Sequence, residues 1–301
     1  MPQGRGGIAE LLTPDLRSVY IDTGKERPLE HPMIVNKDVM PWNPITDQQV
    51  SGLGTMPEKA EGGAFTPDQF LIGGRKTYEA MPFGMAVEYT FEAWRDELYG
   101  ILREIVAEMK RASNNRLEVS GFAALNRAFN TAYTGFTAGE SLCSTAHIGL
   151  DGASRANRPS PDVAFSNTGL QSAVLRYENM TDERGLPRLL APTKVLITAQ
   201  NKFKAREILG SSRVPYKADN EINAIIDEDL SWMVVHYFTT NAQWFLCTNP
   251  GIHDVNMFMR DEPMFDSFDD QWTKNAVFTS YQRHTESSFG AWRGIDGSTG
   301  V

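Results

Sequence analysis

The segment from Asn36 to Gly74 constrains this sequence most. It is rich in Gly, Pro and polar residues, including Pro41, Pro44, Gly52, Gly54, Pro57, Gly62, Gly63, Pro67, Gly73 and Gly74. A compact domain rarely holds so long a structureless loop unless the loop is functional or disordered. Yet Val39, Met40, Trp42, Phe65, Phe70, Leu71 and Ile72 make it too apolar for a solvated linker. An arm that buries these residues against a neighbouring molecule satisfies both facts. Trp42, Phe65, Phe70, Leu71 and Ile72 are therefore the candidate subunit-interface residues, aromatic side chains being common anchors of protein–protein contacts.

Two strand-like pieces follow, Arg75 to Met81 and Met85 to Tyr89, with Pro82-Phe83-Gly84 between them reading as a turn. Thr90 is placed to cap a helix, with Glu92 in its first turn and Tyr89 and Trp94 at staple spacing. The helix is the clearest element of the chain. Phe91, Trp94, Leu98, Ile101, Leu102, Ile105, Val106 and Met109 recur at helical spacing, while Arg95, Asp96, Arg103, Glu104 and Glu108 fill the other face. From Phe91 to Ala112 it would span about 33 Å at ~1.5 Å per residue. Leu117, Phe122, Leu125 and Phe129 continue it or form a second helix after Asn114-Asn115. Phe91, Trp94, Leu98, Leu102, Ile105 and Met109 are the expected core of this spine.

The second half alternates. Gly149 to Pro161 reads as loop, and Asn167 or Thr168 as the cap of a helix through Met180. Lys194 to Thr198 is a strand and Asn201 to Leu209 a helix. Further strands are expected at Glu221 to Ile226, Trp232 to Thr239, Gln243 to Thr248, Asn256 to Arg260 and Ala276 to His284. With no internal repeat, the class is α+β with one long helix and several antiparallel strands.

At 301 residues the chain is at the limit of what one core organises, so two lobes or long extensions are expected. Net charge is −9, from 38 acidic and 29 basic side chains. No Lys/Arg run exceeds a dipeptide, so there is no concentrated basic surface for gripping phosphates. Nucleic acid, if present, would be enclosed rather than read. Two cysteines, Cys143 and Cys247, cannot build a disulfide framework and suit a reducing cytosol. The N-terminal residues lack a signal-peptide apolar run, and no stretch of about 18 apolar residues could span a membrane.

Candidate chemistry is thin. Cys143 and His147 invite a nucleophile reading, but a Cys–His pair needs an orienting third group and an oxyanion hole. Zinc needs four ligands, and His236, Cys247 and His253 show no finger-like spacing. Asp227-Glu228-Asp229 and Asp266, Asp269, Asp270 lack the alternation of a calcium loop and read as solvated turn acids. Gly52-Leu53-Gly54 and Gly62-Gly63 fit no phosphate-binding loop. No catalytic residue, cofactor or metal is expected.

The order of parts resembles the major capsid proteins of tailed phages: an N-terminal arm, a long extended loop, the run Pro82-Phe83-Gly84-Met85-Ala86-Val87-Glu88-Tyr89-Thr90, then a long amphipathic helix. Ser141-Leu142-Cys143-Ser144-Thr145-Ala146-His147 resembles the "Leu-Phe-Ser-x-x-His" stretch of phage Mu-type major head subunits. Asp182-Glu183-Arg184-Gly185-Leu186-Pro187 with Ala191-Pro192-Thr193-Lys194-Val195-Leu196 is similar to the family's "D-x-x-G-x-P … P-x-x-L" passage. Gln243-Trp244-Phe245-Leu246, Glu262-Pro263 and Trp292-Arg293-Gly294 look like its closing signatures. Cys143 stands where an aromatic is common, Ala138-Gly139-Glu140 replaces an Asp-Gly turn, and the Lys, Asn and Glu of the family's cross-linking branch find no match.

The resemblance implies the Hong Kong 97 type capsid fold. It divides the chain into an N-terminal arm (1–24), extended loop (25–89), peripheral domain with spine helix (90–186), axial domain (187–260) and a return to the peripheral domain (261–301). It implies pentamers and hexamers in an icosahedral virion shell around double-stranded DNA, assembled in the host cytoplasm. Scaffold, portal and decoration proteins are implied as partners, and no membrane. An encapsulin-type nanocompartment shell is the alternative, and a cytosolic Cys143/His147 hydrolase the third.

Overall fold

The computed structural model describes residues 16–90, 92, 100–214, 221–270, 272–273 and 275–300. Phe91, Trp94 and Leu98 lie outside those residues, and with them the helix start that Thr90 is expected to cap. Helix α1 covers 16–23. Strands β1 (Asn36–Val39), β2 (Ile45–Val50), β3 (Ile72–Tyr78) and β4 (Met81–Tyr89) precede the long helix α2 (Gly100–Gly121) and a short α3 (Ala123–Asn126). Then come β5 (His147–Ile148), β6 (Ser154–Arg155), α4 (Asn167–Glu178), β7 (Lys194–Ile197) and α5 (Lys202–Gly210). The chain closes with β8 (Ser231–Val234), β9 (Trp244–Cys247), β10 (Val255–Asp269), β11 (Ala276–His284), β12 (Ser288–Phe289) and β13 (Ile295–Ser298).

The larger sheet runs β1-β10-β11-β4, with β12 added to β10. Helix α2 lies on it, because its stripe of Leu102, Val106 and Met109 meets Phe265, Ala276 and Phe278, with Leu16 and Tyr20 of α1 closing the cluster. Of the expected spine residues, Leu102 and Met109 are buried and Ile105 is half-buried against them. The helix continues through Asn114-Asn115 to Gly121. Packing overrides the weak propensity of asparagine: Ser113 Oγ bonds Gln282 Oε1 at 3.0 Å, Leu117 is buried, and Ser120 Oγ meets His284 Nε2 at 3.0 Å.

Strand β11 falls where expected, its alternate residues buried against α2. The expected turn at Pro82-Phe83-Gly84 does not exist. Those residues lie inside β4, which pairs β11 from Met81–His284 to Tyr89–Ala276, and the chain breaks at Glu79-Ala80 instead. Proline is tolerated because β4 is an edge strand. Strand β10 runs well past the expected Arg260, absorbing Pro263 in a register shift between Asp261 and Met264.

The smaller sheet, β13-β9-β7-β8, sits in the main core with α4 and α5. Helix α4 is capped by Ser166, whose Oγ accepts from Gly169 N at 3.1 Å, rather than by Asn167 or Thr168. The expected strand over Glu221 to Ile226 is replaced by a 3-10 turn, Ala224–Glu228. Buried Asn223 causes this, its Nδ2 donating to Ile208 O at 2.6 Å and Ser211 O at 2.8 Å. Two expected boundaries also move. Ile34 and Val35 belong to the main core, so the projecting segment does not begin at 25. Strand β13 joins the smaller sheet, so 261–301 does not return wholly to the larger one.

Candidate assembly surface

Strands β2 and β3 form an antiparallel hairpin from Ile45–Tyr78 to Val50–Ile72. Because side chains alternate, one face carries Ile45, Asp47, Tyr78, Lys76 and Gly74, the other Thr46, Gln48, Arg75 and Thr77. The first face lies on the body. Tyr78 is buried with Met40, Ala80 and Phe258, edge-on to Phe258 at 4.9 Å. Lys76 Nζ donates to Thr134 O at 2.6 Å, and burial lowers its pKa. A Cβ on Gly74 would meet Phe136 O at 1.9 Å, so only glycine permits this approach. Met40, expected to await a neighbouring molecule, is thus buried within its own chain. Its register explains this: Met40 N continues the β1–β10 ladder to Met259 O at 2.8 Å.

Beyond the base the picture reverses. Met56 is 93%, Phe65 85%, Ile72 70%, Trp42 68% and Phe70 60% exposed, while Leu71 is 38% exposed. Leu71 is tethered, its N–H donating to Ser51 Oγ at 2.9 Å, and Lys59 Nζ sits 4.9 Å from the Phe65 ring. These apolar residues do not form one patch. Trp42 follows β1 at the root, whereas Phe65 to Leu71 lie in the loop at the far end, about 20 Å away along six strand residues at ~3.3 Å each.

The Asp182–Pro187 turn holds this loop to the body. Asp182 Oδ1 accepts the N–H groups of Arg184 at 2.8 Å and Leu186 at 2.9 Å, and Gly185 takes φ 82°. Arg184 reaches out to Asp68 at 2.7 Å and to Gln69 O. The Gly54 N–H, then Arg184, hold the Asp68 carboxyl down at about 2. Glu183 faces inward and pairs with Arg293.

Behind the turn lies the Cys143–His147 region, knotted around Asn157. Asn157 is fully buried. Its Oδ1 accepts from Ser144 N and faces His147 Nε2, both at 2.9 Å, and its Nδ2 donates to Leu142 O at 2.8 Å and Ile295 O at 2.9 Å. Its backbone bonds Ser144 O at 3.2 Å and Gly297 N at 3.1 Å. His147 stacks on Trp292 with centroids 4.3 Å apart and bonds Glu140 through Nδ1 at 3.1 Å. Burial lowers the His147 pKa against the pull of Glu140 and Asn157. Cys143 is buried, and burial, with Asp296 nearby, pushes its thiol well up; Cys247 is pushed up to about 12. A reactive thiol needs the opposite environment. Among the described residues, no three His, Cys, Asp or Glu side chains are grouped to hold a metal ion. Sequence reasoning missed Asn157, which sits in a loop with no periodicity to mark it.

Residues 75–287 match the model of a family described as phage capsid protein. The chain belongs to that family. Solved structures agree in fold. The cyanophage P-SCSP1u capsid aligns at 10% identity over 90% of this chain and 88% of that one, with TM-score 0.61. A Microbacterium phage Oxtober96 chain aligns at 9% identity over 91% and 93%, TM-score 0.54. A virus-like particle from Pyrococcus furiosus aligns at 10% identity over 94% and 97%, TM-score 0.52. No curated protein sequence matches. The fold is the Hong Kong 97 type, and the protein is a major capsid protein, a structural component that builds the phage virion's shell from copies of itself. The nanocompartment alternative is the less supported one.

Proposed function

We propose that this capsid protein forms pentamers and hexamers of an icosahedral shell that encloses double-stranded DNA without reading its sequence, and that it catalyses nothing. The lobe around the larger sheet and α2 is the peripheral domain; the lobe around the smaller sheet is the axial domain. Trp42, Phe65, Phe70, Leu71 and Ile72 are the arm's contacts with neighbouring copies, and α2 is the rigid spine. The observation that carries the arm assignment is the change of exposure along one hairpin, from buried Tyr78 at its base to Met56 and Phe65 at its tip. A net charge of −9 suits a container that releases its DNA cleanly. The buried, high-pKa Cys143 supports a structural role for that region. Shell assembly belongs to the host cytoplasm, with scaffold, portal and decoration proteins as partners.

Negative-stain microscopy of the expressed chain, alone and with its neighbouring phage gene products, tests the reading. Closed particles carrying DNA in infected cells are expected. Particles filled with an enzyme cargo would favour the nanocompartment, and a chain that stays monomeric under every condition would sink the shell assignment.

A further inference from the structure

Helix α5 turns Ala205 and Ile208 inward and leaves Lys202, Phe203, Lys204 and Arg206 exposed, Phe203 at 74%. None of these three cations has an ion-pair partner among the described residues. The same lobe carries a ledge of opposite character. Ile222 is 82% and Ile226 40% exposed, and Asp227, Glu228 and Asp229 stand exposed beside them, also unpaired among the described residues.

The two surfaces sit on neighbouring elements, and strand direction sets the start of the helix apart from the ledge. Strands β7 and β8 run parallel, with Lys194 opposite Ser231 and Ile197 opposite Val234. Helix α5 starts just beyond Ile197, past the C-terminal end of that pair, whereas Asp227 to Asp229 precede Ser231 at its N-terminal end. The helix returns across the lobe, about 13 Å at ~1.5 Å per residue, and its far end is tied to the ledge by Asn223 on Ile208 O. Among the described residues, no ion pair joins these cations to the acids of the ledge within one chain.

We propose that in the shell the Lys202–Arg206 face of one copy docks on the 222–229 ledge of the next. Phe203 seats between Ile222 and Ile226, and the three cations face Asp227, Glu228 and Asp229. Two different, complementary patches allow a head-to-tail contact, which closes into a ring when the rotation closes. This inference rests on the shell-forming reading above. Burial between copies also explains a large aromatic among charges, since such side chains anchor interfaces.

The test uses three full-length variants: Lys202→Glu/Lys204→Glu/Arg206→Glu, Asp227→Lys/Glu228→Lys/Asp229→Lys, and all six changes together. Circular dichroism reports folding, and sedimentation with microscopy reports particles. Each triple variant should remain folded and lose at least tenfold in particle yield, and the six-fold swap, which restores the wild-type net charge, should recover it. Phe203→Asp and Ile222→Asp, both at exposed positions, should each lower the yield and serve if a triple variant misfolds. Wild-type particles with unaffected variants, or a folded six-fold swap that does not assemble, overturn the contact alone. A cation variant that assembles normally but packages less DNA assigns that face to nucleic acid and overturns it as well. Wild-type protein that forms no particle overturns the shell reading and this contact together.

Discussion

At the Asn157 knot six hydrogen bonds saturate one buried side chain and its backbone, and His147, Trp292, Glu140 and Cys143 pack around it. At the hairpin tip Met56, Phe65 and Phe70 face solvent, and the loop is held by little more than Arg184 on Asp68 and the Ser51–Leu71 pairing. The residue types that invite chemistry are fully engaged in holding the subunit together. The segment with no chemical motif is the one left incomplete. A subunit that assembles needs this division, because folding must finish inside the chain while association draws on surface that folding left over.

The largest expected effect breaks the comparison at the tip. Replacing 52–70 with a short Gly/Ser linker should leave a folded subunit that forms no shells. Loop closure changes only slowly with length, by about 0.6 kcal/mol per doubling, so the monomer loses little. The replacement spares Met40, Tyr78 and the hairpin strands, which belong to the body. Circular dichroism and electron microscopy read the two arms; normal shells would refute the tip's role in assembly.

At the knot the effect should fall on stability instead. Asn157→Leu strands the carbonyls of Leu142 and Ile295 and the Ser144 N–H without partners. Several unsatisfied buried groups together cost about 3–5 kcal/mol. Chemical denaturation should register that loss; an unchanged midpoint would mean water reaches the site and the knot is not closed.

The difference also explains what the residues disclosed. The spine, β11, β7, β9 and α5 were legible because a repeating apolar period fixed each of them before any partner was known. Exposure at Trp42, Phe65, Phe70 and Ile72 followed from the mismatch between apolar content and breaker density. Pro82 misled because its cost depends on whether the strand is an edge, which only topology decides. Glu221 to Ile226 misled because a single asparagine side chain, not periodicity, sets its path. Asn157 was invisible for the same reason: its role depends on six hydrogen bonds to partners in two other segments, 142–147 and 295–297. The Met40 burial, too, required knowing that β1 pairs β10.

A pH titration sharpens the contrast next, since the described hairpin loop contains no histidine while buried histidines cluster in the body. Burial, then Arg116 and His31, depress His284 to about 4, and burial also lowers His147 and His253. A histidine depressed in the folded state is neutral there, so protonation favours the unfolded chain. The stability from keeping His284 neutral is complete above its unfolded value near 6.5 and is lost as pH falls toward 4, by about 3 kcal/mol at the limit. Melting followed between pH 7 and 4 should show this decline, and His284→Gln should flatten part of it. A variant with the wild-type slope would place the titration elsewhere.

The smallest effect concerns the clasp between the two regions. Arg184 joins the saturated side of the molecule, through the Asp182 turn, to Asp68 and Gln69 O of the incomplete one. An ion pair whose acid stands exposed contributes little to folding because water screens it and two side chains must be ordered to make it. Arg184→Ala should therefore leave the melting temperature within experimental scatter. The loop it releases should nonetheless become easier to cut, because local opening is governed by the few contacts that hold a segment down rather than by global stability. Lys59 offers trypsin a site inside that loop, beside Phe65. Limited proteolysis of wild-type and variant subunits should show faster cleavage at Lys59 in the variant, with the rest of the chain equally resistant. Equal cleavage rates would mean that the Ser51–Leu71 pairing alone sets the loop's position, and that the clasp is incidental to where the tip is presented to a neighbouring copy.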